Sequence, residues 1–276
     1  MKWLIFISAI TFFQIFYIYI FFIEPNWIEV RQVEIVSTNL SKALSGIKVV
    51  QISDLEIIGL GYREVSLIEK INRLRPDLIF ITGDLVGSRE GINALWDLLS
   101  VLEPRFHTYV VLGDSDGVIS NFSLVTQWDR ANTYLLNDRA IRINLKAKED
   151  SYLWIVGVQN IRLRDIIKDV PREEPIILLN HWPDIVKQAA IEKIDLVLAG
   201  HTHGGQVGIP LLWRFFPYAH RSNYISGLYR LRDTLLYVNR GITSEKGIRF
   251  LCRPEIAVFE FMPAGKMKYR ILKQDR

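Results

Sequence analysis

The chain has 276 residues, 49% of them hydrophobic, and a formal net charge of +4. That length and apolar share allow one large domain or two small ones and exclude extensive disorder. Basic residues are scattered rather than clustered, so no nucleic-acid partner is expected, and a lone cysteine, Cys252, excludes a disulfide framework and a thiolate zinc site.

Residues 3–23, WLIFISAITFFQIFYIYIFFI, carry no charge. At a rise of about 1.5 Å per residue the run matches a bilayer core of about 30 Å. A signal peptide would have a shorter apolar stretch and a small-residue cleavage site, whereas this run exits through EPNWIEV. The expectation is a single-pass membrane anchor over residues 1–30 and a separate domain over residues 31–276. Trp3, Tyr17, Tyr19 and Trp27 suit the interface. Lys2 before the run and Arg31 after it balance, so the charge rule assigns no side of the membrane to the domain.

Beyond the anchor, IKVVQISD (47–54) predicts a short buried strand. VSLIEKINRLRP (65–76) has apolar spacing of about 3.6 residues and predicts a helix stopped by Pro76. DLIFITGD (77–84) predicts a second strand, INALWDLLSVLEP (92–104) a second helix, and HTYVVLGD (107–114) a third strand. This alternation predicts an α/β fold with a largely parallel sheet buried on both faces. Each strand runs out into an aspartate: Asp54, Asp84 and Asp114. One such aspartate is ordinarily a cap or turn residue, but three at equivalent carboxyl ends would share a crevice. PIILLNHWPD (175–184) predicts a strand delivering His181, and IDLVLAGHTHGGQV (194–207) one delivering His201 and His203. TLLYVNRG and EIAVFEFM read as strands of a second sheet.

The candidates in chain order are Asp54, Glu56, Asp84, Asp114, His181, His201 and His203. Carboxylates with imidazoles and no thiolate suit a site for two divalent cations. The segments SDLE, TGDLVG, LGDSDG, LLNHWPD and AGHTHGGQ follow, in order, the pattern D-x-H, G-D, G-N-H-D, a single His and G-H-x-H. YISGLY, LYVNRG and RFLCRPEI add further matches. On these motifs the sequence resembles the calcineurin-like metallophosphoesterases, and within them the membrane-associated bacterial phosphodiesterases, from about Ile47 to the C-terminal strands. The resemblance implies a four-layer sandwich of two mixed β-sheets flanked by helices. It implies that Asp54, residue 56, Asp84 and His203 hold one cation, and that Asp84, residue 114, His181 and His201 hold the other. Asp84, Asp114 and His203 are the residues it places at the chemistry. In the implied reaction a hydroxide between the cations attacks phosphorus in line while the cations stabilise the phosphoryl oxygens.

Three positions depart from the pattern. Glu56 stands in place of His, Asp114 in place of Asn, and Ser115 in place of the His that assists leaving-group departure; Gly87 also replaces an acidic residue at a position read as structural. Glu and Asp both ligate divalent cations, so every implied ligand slot keeps a capable side chain. Four carboxylates favour Mn, Fe or Mg over Zn. A carboxylate about 4 Å from a phosphate oxygen costs on the order of 4 kcal/mol at an effective dielectric near 20, unless coordination absorbs it. Serine is no general acid near neutral pH, and losing a proton donor typically costs ~10²–10⁴-fold. The expected substrate is therefore a phosphodiester or pyrophosphate with a good leaving group, on a phosphorylated small molecule or a lipid. The alternative is a weakened or inactive domain acting as a metal-containing binding or scaffolding module at the membrane. IPLLWRFFPYAHR (209–221) reads equally as packing over the sandwich edge or as an apolar rim meeting lipid, with Arg214 and Arg221 near headgroups. His107 and His220 read as surface or packing residues.

Overall fold

The central strands of this chain, VVQI, LIFIT, TYVV, IILL, LVLA and TLLYV, are short, mostly apolar and buried on both faces, and that is enough to dictate layers. The computed structural model describes residues 1–119, 128, 131–145, 151–209, 222–244, 247–263 and 273–274. Helix α1 (Lys2–Ile18) runs on through a π-helical turn (Tyr19–Ile23) and a 3₁₀ turn (Glu24–Asn26). There follow β1 (Glu29–Val36), α2 (Thr38–Leu44), β2 (Val49–Ile52), α3 (Tyr62–Leu74), β3 (Leu78–Thr82), α4 (Gly91–Ser100), β4 (Thr108–Val111) and β5 (Thr133–Leu135). The second half holds β6 (Arg139–Asn144), β7 (Tyr152–Gly157), α5 (Leu163–Ile166), β8 (Ile176–Leu179), α6 (Val186–Ile191) and β9 (Leu196–Ala199). Last come β10 (Gly227–Leu231), β11 (Thr234–Val238), β12 (Glu255–Met262) and β13 (Lys273–Gln274). The loop at 210–221, with Trp213, Arg214, His220 and Arg221, lies outside the described residues.

Two mixed sheets form. One has six strands in the order β1-β12-β2-β3-β4-β5, the other seven in the order β13-β10-β11-β9-β8-β7-β6. β2, β3, β4 and β5 are parallel neighbours, as are β7, β8, β9 and β11. Alternate residues of each strand part to opposite faces, as the pleat requires. In β3, Leu78 and Phe80 enter the core between the sheets, while Ile79 and Ile81 face α3 and α4 through Leu67, Ile71, Leu95 and Leu98. In β9, Leu196 and Leu198 face inward, while Val197 and Ala199 pack with Leu163 of α5 and with Val186 and Ala189 of α6. The result is helices, sheet, sheet, helices: the four-layer sandwich expected from the motifs.

EIAVFEFM belongs to a different sheet from the one anticipated. As β12 it lies in the first sheet, parallel to β1 and antiparallel to β2. Alternation marks a segment as a strand but says nothing about its partner, and here the partner is over 200 residues away in the chain (Glu29 beside Glu255). The helices are also shorter at their C-terminal ends than read. α3 stops at Leu74 because Arg75 takes the left-handed conformation (φ 50°) ahead of Pro76.

Candidate metal centre

Five loops meet at one end of the sandwich, each leaving the carboxyl end of a parallel strand. Asp54 follows β2, Asp84 follows β3 and Asp114 follows β4; from the other sheet, His181 follows β8, and His201 and His203 follow β9. The centre thus sits on the seam between the two sheets. The turns there are sharp. Asp54, Glu56, Asp84, His201 and His203 all have positive φ, between 40° and 71°, a region that non-glycine residues occupy at a cost of about 1–3 kcal/mol each. Neighbouring glycines make the close approach feasible. A Cβ at Gly83 would lie 2.6 Å from Nδ1 of His181, and one at Gly200 would lie 1.9 Å from Oγ of Ser53 and 2.6 Å from Oδ2 of Asp54.

The imidazoles are aimed by backbone acceptors. Nδ1 of His181 is 2.9 Å from the Thr82 carbonyl, which assigns the N–H to Nδ1 and turns Nε2 inward. There Nε2 lies 3.2 Å from Oδ2 of Asp84 and 3.2 Å from Nδ1 of His201. His203 is set likewise, with Nδ1 3.1 Å from the Thr243 carbonyl and Nε2 3.5 Å from Glu56 and 3.7 Å from Asp54. His201 presents Nδ1 to the cluster, 3.7 Å from Oδ2 of Asp114. Two groups of ligand atoms, Asp54 with Asp84 and His181, and Asp114 with His181 and His201, each fall within 4.8 Å of one another. Glu56 joins on the His203 side, its Oε2 accepting from the Thr243 hydroxyl at 2.8 Å. All seven residues singled out in the sequence therefore converge.

Electrostatics give the cluster its character. Asp54 is fully buried, and Asp84, His181, His201 and His203 are buried beside it. Among the described residues, the ion-pair partners of Asp54, Glu56, Asp84 and Asp114 are histidines only. Buried carboxylates without ammonium or guanidinium partners are costly unless a cation offsets them. Burial pushes the Glu56 carboxyl up. At Asp84 burial acts in the same sense, but hydrogen bonds from His181 and the Ser115 N–H outweigh it and hold the group below the ordinary range. Burial draws His181 down, yet Asp84 and Asp54 outweigh it and push the imidazole up to about 10. Burial, then the neighbouring His181, brings His201 down to about 4. A cluster that recruits a proton to balance its charge is one that suits cations, and the donor set of oxygen and imidazole nitrogen fits divalent ions.

Several further contributors are not candidate ligands, and of these only Gly87 was singled out in the sequence. Asp116 is fully buried and accepts from the backbone N–H groups of Gly113, Leu85 and Val86, tying the Asp84 and Asp114 loops together. Thr243 buttresses Asp54 and Glu56, and its carbonyl receives both His203 and the buried guanidinium of Arg249. Trp182 lies tilted over His201 and donates to Asp114. Its adjacency to His181 was the only available signal. Gly87 packs under the Glu56 loop, where a Cβ would lie 2.9 Å from the Glu56 carbonyl oxygen. His107 sits at the opposite end of β4 from Asp114 and bonds Asn132, so it supplies no proton to the centre.

The segment Arg249 to Cys252, which backs the centre, also touches the first helix and the turns that extend it. The backbone N–H of Arg249 donates to the Ile20 carbonyl, and that of Cys252 to Oε1 of Glu24. Phe250 packs against Phe16 and Tyr19 while its backbone pairs with Gln206 and Gly208, on the loop that carries His201 and His203.

Comparison with known proteins agrees with this geometry. Residues 47–205 match the family model described as calcineurin-like phosphoesterase. YkuE of Bacillus subtilis, an uncharacterized metallophosphoesterase, is 30% identical over 261 residues, 88% of this chain and 88% of that protein. The Escherichia coli phosphodiesterase YaeI is 29% identical over 256 residues, 88% of this chain and 92% of its own. A transmembrane protein with metallophosphoesterase domain from Danio rerio is 28% identical over 253 residues, 83% of this chain and 56% of its own length.

Proposed function

The chain belongs to the calcineurin-like phosphoesterase family, a metal-dependent class of phosphoric ester hydrolases, and from that premise we propose that it is membrane-anchored and cleaves a phosphodiester or pyrophosphate bond of a lipid-linked substrate. The observation that carries the reading is the convergence of seven ligand-capable side chains whose carboxylates have only histidines as ion-pair partners among the described residues. Asp54, Glu56, Asp84 and His203 would hold one divalent cation, and Asp84, Asp114, His181 and His201 the other. Bound there, the two cations supply Lewis acidity, an activated water and charge neutralisation for a phosphoryl group.

The chain's own groups divide the remaining work. The Thr82 and Thr243 carbonyls fix the tautomers of His181 and His203. Asp84 accepts from the Ser115 N–H at 2.9 Å, which leaves its other oxygen toward His181. Ser115 is exposed beside Asp114 and offers no proton near neutral pH, so the leaving group must depart with little help. The extra carboxylates disfavour a monoester dianion more than a diester monoanion. Residues 1–30 act as the anchor and residues 31–276 as the catalytic domain. Helix α1 is apolar on every side with no buried residue, which suits a lipid surround. Its juxtamembrane end contacts the wall of the centre, which favours a phosphate presented from the bilayer.

The test is metal analysis of the purified full chain, then assay on bis(p-nitrophenyl) phosphate with added Mn²⁺. Bound metal with turnover on the diester, and at least about 10³-fold loss in Asp84→Asn, is the expected result. Bound metal without turnover on any diester or pyrophosphate would leave the domain a binding module instead.

A further inference from the structure

We propose that Trp182 is a positioning residue that aims Asp114 and His201 at the cation they would share with His181. This rests on the reading that those three residues hold a cation. The indole is pinned at its backbone: the Trp182 N–H donates to Oδ1 of Asn180 at 2.8 Å, Asn180 in turn donates to the Val158 carbonyl at 2.7 Å, and Pro183 opens the next turn. From that base the ring lies over His201, with centroids 3.6 Å apart and planes inclined by 31°. Its Nε1–H reaches across to Oδ1 of Asp114 at 2.9 Å.

Asp114 needs such a hold. Its side chain is 54% exposed, whereas those of His181 and His201 are almost wholly covered. A carboxylate in water rotates freely, and the indole removes that freedom by occupying one oxygen. The other, Oδ2, then faces Nδ1 of His201 at 3.7 Å. Indole N–H is a donor only, so it must consume an acceptor of residue 114. Aspartate has a second oxygen left for a cation; asparagine would have to share its single oxygen between the indole and the cation, and its NH₂ group offers no lone pair to either. Trp182 and Asp114 therefore fit as a pair, and the carboxylate at this position is matched to the ring that holds it.

The experiment is a titration of the metal-free full chain with Mn²⁺, read from the electron paramagnetic resonance of the free ion, on wild type, Trp182→Phe, Asp114→Asn and the double variant. Wild type is expected to bind two ions. Trp182→Phe should weaken one of the two sites by roughly 10–100-fold, as loss of an outer-shell partner does, and leave the other unchanged. Asp114→Asn alone should weaken that same site at least as much, and adding Trp182→Phe should restore part of the affinity by freeing the amide oxygen. Asp114→Asn removes no packing, so it carries the test if Trp182→Phe fails to fold. Equal Mn²⁺ affinity in Trp182→Phe, a lowered melting temperature with unchanged affinity, or additive effects in the double variant would overturn the pairing. A wild type that binds no Mn²⁺ overturns the cation reading, and the pairing with it.

Discussion

On the proposed reading, Ser115 is the residue on which activity turns. It is exposed, its neighbour Asp114 is held by Trp182, and its backbone N–H already serves Asp84. An imidazole on that Cα would replace a hydroxyl that also hydrogen-bonds Asp84, while the backbone N–H bond stays in place. Ser115→His should raise turnover of diesters with poor alkoxide leaving groups by about 10–10²-fold, and change p-nitrophenolate release little, because only the former needs a proton. A leaving-group series on both proteins checks this, and parallel slopes would refute it. The candidate ligands were legible in the sequence, since a strand end and an aspartate or histidine recur in order. Trp182 was not legible, because its role depends on a partner 68 residues away that only the meeting of β4 and β8 loops brings near. Arg249 was equally hidden: it is completely buried yet touches the carbonyls of Arg240, Gly241 and Thr243 rather than a carboxylate.

At the scale of elements, the segment from Arg249 to Cys252 joins the first helix to the His201–His203 loop. Glu24 is fully buried, and its Oε1 accepts from the Cys252 N–H at 2.6 Å; the Cys252 thiol lies 3.5 Å from the His203 carbonyl. Glu24→Ala should cost about 1–3 kcal/mol for a buried donor left unpaired, a fall of roughly 2–8 °C in melting temperature. Glu24→Gln keeps the acceptor and should melt near wild type; equal losses in both would deny the bond any part. A second element-level prediction concerns the β6–β7 edge. Glu174 accepts from Arg142 of β6 and from the indole of Trp154 of β7. The Arg142 hydrogen bond holds its carboxyl below the ordinary value of 4.5. A depressed carboxyl contributes stability above that ordinary value, and the contribution disappears as pH falls through the folded one. Wild type should thus lose its melting-temperature advantage over Glu174→Gln between about pH 5 and pH 3, with a constant gap above about pH 6. A gap that persists to the lowest pH would assign the effect to packing. Most strands were legible as strands. Their pairing was not, as β12 shows: a run buried on both faces suits either sheet equally.

For the molecule as a whole, the question is what α1 does for catalysis. An apolar helix with no buried residue cannot be stabilised by the sandwich alone, apart from the contacts at its C-terminal end. Lipid is the surround that its composition fits. If it spans a bilayer, binding to liposomes must resist salt, because burial of apolar area does not decline with screening as headgroup attraction does. Flotation with neutral vesicles at low and at about 1 M salt should retain the full chain in both, and deletion of residues 1–26 should release it. The same deletion separates two roles for the membrane. If the anchor only tethers, the truncated domain will keep full turnover of a soluble diester and lose only turnover of vesicle-borne diesters, through lost local concentration, and adding detergent will erase that difference. If the juxtamembrane end forms part of the wall of the centre, Ile20 and Glu24 are removed from the segment that abuts the His201–His203 loop. Turnover of the soluble diester must then fall as well, and Mn²⁺ affinity with it. The contacts of Phe250 on both sides favour the second outcome; full soluble-substrate activity in the truncated domain would establish the first.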